Sequence, residues 1–117
     1  MPHITIEYTK GLEVKTTSSE LVKEVYQGAC DSELFNNDFL KVRAISYDSY
    51  QSGTTQNDFL HVTAKILIGR TTEQKQQLSA AILARLESLL GEVNPLTVTV
   101  EAVDIDKDSH AQFINGN

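Results

Sequence analysis

Cysteine, tryptophan, arginine and proline are all scarce in this chain of 117 residues, and each shortage removes a class of explanation. Cys30 is the only cysteine, so no internal disulfide can form and no CxxC metal site exists. Without a basic neighbour in sequence, Cys30 reads as an inert thiol rather than a nucleophile. No stretch approaches the roughly 20 apolar residues of a membrane span. The first residues alternate instead of running from a basic patch into a long apolar segment, so no secretory signal is expected, and a cytoplasmic location is the simplest reading. Positive charge is also in deficit, with 10 Lys and Arg against 16 Asp and Glu and a formal net charge of −6. That argues against a nucleic-acid partner, which needs a basic footprint. It leaves open a small anionic ligand, because a few placed arginines override the overall sign locally.

The length and ordinary hydrophobic content suit a single domain over residues 1–117, large enough to bury a core unaided. Ile4, Ile6 and Tyr8 share one face of a strand that begins at Pro2, with His3, Thr5 and Glu7 on the other. Thr17 and Glu20 have capping-box spacing and open a helix to about Ala29, with Gly28 as a fraying point near its end. Residues 31–38 read as polar and turn-like. Leu40 to Tyr47 is a second strand, with Leu40, Val42 and Ala44 on one face and Lys41, Arg43 and Ile45 on the other. After a polar connection over residues 49–58, Leu60 to Ile68 alternates strictly as a third strand. Thr71 and Gln74 cap a second helix that runs to about Leu90, where Gly91 and Pro95 end it. Leu96 to Ala102 is the fourth strand. Residues 104–117 form an acidic, polar tail, with a short helical turn expected around Ala111 to Ile114.

The order is β-α-β followed by β-α-β. Each half can pair its two strands in parallel through a right-handed helical crossover. A four-stranded mixed sheet with both helices on one face gives a two-layer α/β (α+β) sandwich. The other face stays bare and carries Thr5, Thr63, Lys65, Leu67, Thr97 and Thr99, a mixed surface able to sit against another subunit. An unrelated ferredoxin-like domain shares these β-α-β units with a different strand order.

Three stretches point to a family. The chain opens Met1-Pro2-His3-Ile4 and enters a strand bearing Glu7 and Tyr8. Its middle reads DFLHVTAKILIGRTTEQKQQLSAAIL from Asp58 to Leu83, and Arg43 lies in the strand after the first helix. In these features the chain resembles the 5-carboxymethyl-2-hydroxymuconate isomerases of the tautomerase superfamily. The resemblance spans most of the chain and is densest from about Asp58 to Leu90. It implies a tautomerase-like β-α-β-β-α-β subunit, a homotrimer with its sheets around a central axis, and an active site near the N-terminal proline. Pro2 matches the catalytic proline, and Arg70 and Arg43 match family arginines. The family places a second arginine close to Arg43, whereas Ala44 and Ile45 follow here. His61 also matches a family position, although a structural histidine with satisfied partners is the commoner case.

The chemistry of these residues agrees with that role. Once Met1 is removed, Pro2 carries a secondary amine, a ring-restricted base. Burial and nearby arginines disfavour its charged form and draw its pKa towards neutrality. Such a base can take a proton from an enol hydroxyl or an activated carbon and return it elsewhere in the conjugated system. Arginine grips a carboxylate with two parallel hydrogen bonds and stabilises a developing dienolate. The three arginines are Arg43, Arg70 and Arg85. Arg43 and Arg70 are the candidate substrate ligands. Arg85, at the edge of a helical apolar stripe, reads as structural. His3 and His110 are too isolated to suggest a metal site, and no metal or organic cofactor is implied. Tyr47 and Tyr50 either border the pocket or serve packing.

Two functions follow. The first is a tautomerase acting on a small anionic, unsaturated 2-hydroxy or 2-oxo acid, with Pro2 as general base and acid. The second is a non-catalytic trimer of the same fold serving as a binding or assembly module. The amide that Pro2 forms while Met1 remains and the missing second arginine both motivate the second reading.

Overall fold

The computed structural model of the protein describes residues 2–116. The removal of Met1, on which a free Pro2 amine depends, lies outside the described residues. The elements are β1 (His3–Thr9), α1 (Ser18–Asp31), β2 (Lys41–Tyr47), β3 (Asp58–Leu67), α2 (Thr72–Leu90) and β4 (Leu96–Ile105), with short 3-10 turns at Lys10–Val14 and Asn37–Phe39.

Alternation in β1 and β3 sends Ile4, Ile6, Tyr8, Leu60, Val62, Ala64 and Ile66 into one buried cluster. Leu21, Val25 and Ala29 of α1 and Leu78, Ile82, Leu86 and Leu90 of α2 meet them there. Each fully buried Leu, Ile or Val contributes roughly 1.5–3 kcal/mol, so this layer holds the fold. Both helices start where their capping boxes lie. The Thr17 Oγ1 accepts from the Glu20 N–H at 3.1 Å, and Glu20 Oε1 accepts from the Thr17 N–H at 3.1 Å. Thr71 and Gln74 make the same exchange at 3.1 and 2.9 Å.

The sheet order is β2-β1-β3-β4. β1 pairs in parallel with β2, β3 in parallel with β4, and the two halves join through antiparallel β1 and β3. Each β-α-β unit therefore closes on adjacent strands. That departs from the split β-α-β of a ferredoxin-like domain, in which another strand intervenes.

Three local expectations need correction. Gly28 is not a fraying point, because α1 continues to Asp31 and Gly28 is buried inside it. A Cβ there would meet the Ile82 Cα at 2.8 Å, so glycine permits the close crossing of the two helices. β4 continues past Ala102 to Ile105, with Leu67 opposite Ile105 and the Ile68 N–H donating to the Ile105 carbonyl at 3.2 Å. The supposed tail thus begins after a strand whose Asp104 meets Lys75 at 3.3 Å. Residues 111–114 form no helical turn. Nothing packs Phe113 and Ile114 against the core, and both are exposed, so a lone turn has nothing to stabilise it. The polar stretch 31–38 also lends Leu34 and Phe35 to the core.

The helix-free face of the sheet has a readable grid. One row across it runs Lys41, His3, Lys65, Val103; the next runs Arg43, Thr5, Thr63, Glu101; the third runs Ile45, Glu7, His61, Thr99. Among the described residues, no helix is long and apolar enough to cross a membrane.

Candidate active site

Pro2 is buried immediately before β1. Its carbonyl accepts the Lys41 N–H at 3.1 Å, which seats it at the start of the parallel β1–β2 pair. Parallel pairing brings the beginnings of both strands to one end of the sheet, so Lys41 and Arg43 lie at the Pro2 end. β3 runs the other way, and its final residues and the turn carrying Arg70 reach that same end. The turn uses Gly69 at φ 125°, a conformation that side chains resist.

Arg43 is exposed on the open face, where its Nη1 donates to His3 Nδ1 at 3.1 Å. Arg70 is half-buried, and its guanidinium sits over the Phe35 ring at 5.2 Å from the centroid. That contact orients the cation without neutralising it. Among the described residues neither arginine is salt-bridged, unlike Arg85. Arg85 Nε donates to Asp31 at 2.8 Å and its Nη1 lies 3.7 Å from Glu24. Arg85 therefore clamps α2 to α1, as its sequence context suggests.

The charges that act on His3 at the Pro2 end are all positive. Partial burial, then Arg43, then Lys41 and His110 hold the His3 imidazole below the usual histidine range. The result is a cluster of cations around a buried proline, in a chain whose overall charge is negative. An anion placed there meets uncompensated donors.

The other end differs. His61 Nδ1 lies 2.6 Å from Thr99 Oγ1 and its Nε2 lies 2.7 Å from Glu101, so His61 is a satisfied surface histidine on the open face. Tyr47 donates to Glu7 at 2.5 Å, which raises the phenol pKa. Tyr47 and Tyr50 line a cavity with Glu7, Ser49, Phe59 and His61. They do not border Pro2 within one chain. In a parallel pair, the end of β2 lies about 20 Å from the start of β1, at ~3.3 Å per residue. Among the described residues, three surface cavities are lined by side chains other than Pro2, Arg43 and Arg70. Among the described residues, no group of His, Cys, Asp or Glu is placed to hold a metal ion.

Sequence reasoning weighed His3 only as a metal ligand and passed over Lys41, Lys65 and Phe35. The available signal was alternation, which puts His3, Lys41, Arg43 and Lys65 on faces opposite the core.

A four-stranded sheet of this order, with two helices on one side, is a tautomerase-like subunit. The chain belongs to the 5-carboxymethyl-2-hydroxymuconate isomerase family, whose model matches residues 2–114, and so to the tautomerase and isomerase class of enzymes. It is similar to a solved 5-carboxymethyl-2-hydroxymuconate isomerase from Deinococcus radiodurans R1, with a TM-score of 0.85 at 21% identity, covering 97% of this chain and 90% of that one. A 5-carboxymethyl-2-hydroxymuconate delta-isomerase gives 0.82 at 13% identity over 98% and 89%. A fused wild-type 4-OT that forms a symmetric trimer gives 0.75 at 20% identity over 94% and 90%. No curated protein sequence matches.

Proposed function

We propose that the enzyme moves a proton within a small, unsaturated 2-hydroxy or 2-oxo acid, with the Pro2 nitrogen as base and acid after Met1 removal. The carrying observation is the burial of Pro2 at the sheet end that also receives Arg43 and Arg70. In the reaction the amine takes the enol O–H proton, the electron pair closes the carbonyl and the conjugated double bonds shift. The prolinium then returns the proton to a distal carbon, restoring the base and leaving no net charge change. Arg43 and Arg70 hold the carboxylate and stabilise the dienolate formed between the two transfers. Burial favours the neutral amine, which is the competent base.

The working assembly in this reading is a homotrimer. The open face supports it, since the exposed Ile45 and Leu67 share that face with the charged grid. A shared trimeric architecture among neighbours, as in the 4-OT structure, points the same way.

The test is ketonisation of a 2-hydroxydienoate, followed by ultraviolet absorbance, on protein shown by intact mass to begin at Pro2. A rate above buffer that vanishes in Pro2→Ala supports the assignment. A rate that survives Pro2→Ala undiminished removes Pro2 from the mechanism.

A further inference from the structure

We propose that His3 is a positioning residue for this reaction: its unprotonated Nδ1 accepts the Arg43 hydrogen bond and fixes that guanidinium at the Pro2 end of the sheet. The inference rests on the isomerase reading above and adds a residue to it.

An arginine on an open strand face is a long side chain with many rotamers. It needs a partner before it can present a fixed fork to a substrate. The usual partner is a carboxylate, as Asp31 is for Arg85 at 2.8 Å. A carboxylate at Arg43 would hold it but would also cancel the charge that the substrate requires. A neutral imidazole orients it without cancelling that charge. His3 and Arg43 sit on adjacent parallel strands, Arg43 two residues beyond the register partner of His3 and on the same face, and the Nη1 to Nδ1 distance is 3.1 Å.

The geometry dictates the tautomer. Guanidinium has donors only, so Nδ1 must be bare and the ring proton must reside on Nε2. The surroundings enforce that state. Lys41 and Lys65 are the register partners of His3 on its two sides, Arg43 is its hydrogen-bond donor, and His110 approaches from the C-terminal segment. The Pro2 amine is its sequence neighbour. The acids of this face, Glu7 and Glu101, are engaged by Tyr47 and His61. A proton on Nδ1 would remove the acceptor and set one cation against another. Acid therefore releases Arg43, and binding of an anionic substrate weakens.

The experiment combines nitrogen-15 spectra of the imidazoles with pH-resolved kinetics on the Met1-free chain, for wild type, His3→Leu and His3→Asn. Asparagine offers an amide oxygen near the Nδ1 position and does not titrate. His3 is expected as the Nε2–H tautomer at pH 7. His3→Leu is expected to raise KM for the 2-hydroxydienoate about tenfold, with kcat changed less than about threefold, since the lost contact acts through binding. His3→Asn is expected to restore KM and to flatten its rise on the acid side. A protonated or Nδ1–H His3 at pH 7, or a His3→Leu variant with wild-type KM, overturns the proposal while leaving the isomerase reading intact. No turnover by any form, with the Nε2–H tautomer in place, overturns the isomerase reading and the role of His3 with it.

Discussion

The two ends of the open sheet face have opposite chemistry. At the Pro2 end, Lys41 and Lys65 flank His3 across the strands, and partial burial, Arg43, Lys41 and His110 hold that imidazole below the usual histidine range. Further along the face, Glu7 binds Tyr47, His61 binds Glu101 of the Arg43 row, and aromatic rings line a cavity, with Tyr50 edge-on to Phe59 at 5.7 Å. Every polar group named at the far end already has a partner on the chain, whereas the cations at the Pro2 end lack carboxylates. The contrast teaches where binding energy is held in reserve. An incoming anion gains little by displacing satisfied groups and much by meeting free donors.

The sharpest way to break this comparison is Pro2→Ala, expected to lower turnover by about a hundredfold or more, the scale of general-base catalysis. Ultraviolet assays of Met1-free protein read it directly. Next in size are Arg43→Ala and Arg70→Ala. Each is expected to cost about ten- to a hundredfold in kcat/KM for a carboxylate substrate, the worth of one charge-assisted contact. If either leaves kcat/KM intact, the cationic end is not the binding end. Tyr47→Phe, at the far end, is expected to change kcat/KM by less than about twofold. A larger loss would mean that the far end of one chain joins the Pro2 end of another.

The smallest expected effect is on acid stability. His3 has a folded pKa below its ordinary 6.5, so the unfolded chain binds the proton more readily. Its contribution to stability is full above 6.5 and is lost as pH falls through the folded value. The thermal midpoint of wild type should therefore drop more than that of His3→Asn between pH 7 and pH 5. Equal drops would show that His3 is not held neutral.

Much of the scaffold was legible in the sequence. Alternation at Ile4, Ile6 and Tyr8 and from Leu60 to Ile68 fixed which side chains face the helices. Thr17 with Glu20 and Thr71 with Gln74 marked the helix starts. The reading failed where the deciding partner is remote. Gly28 looks like a helix breaker until Ile82 is known to cross it. Asp104 looks like the start of a tail until β3 is known to pair through Leu67, with Lys75 of α2 beside it. His3 looks isolated until parallel register places Lys41 opposite it and Arg43 two residues further along the neighbouring strand. Of the site, Arg43 and Arg70 stood out because arginine is rare here, and Pro2 because of its position. The far location of Tyr47 and Tyr50 depends on strand direction, which composition does not encode.

The hydrogen bond from the Lys41 N–H to the Pro2 carbonyl has a practical consequence for anyone producing this protein. That bond involves the carbonyl, so it can form whether or not the proline nitrogen is capped. On the proposed mechanism, an amino-terminal affinity handle would therefore leave this backbone bond intact while locking the catalytic amine in an amide. A carboxyl-terminal handle, beyond the exposed residues 111–116, avoids that silent failure.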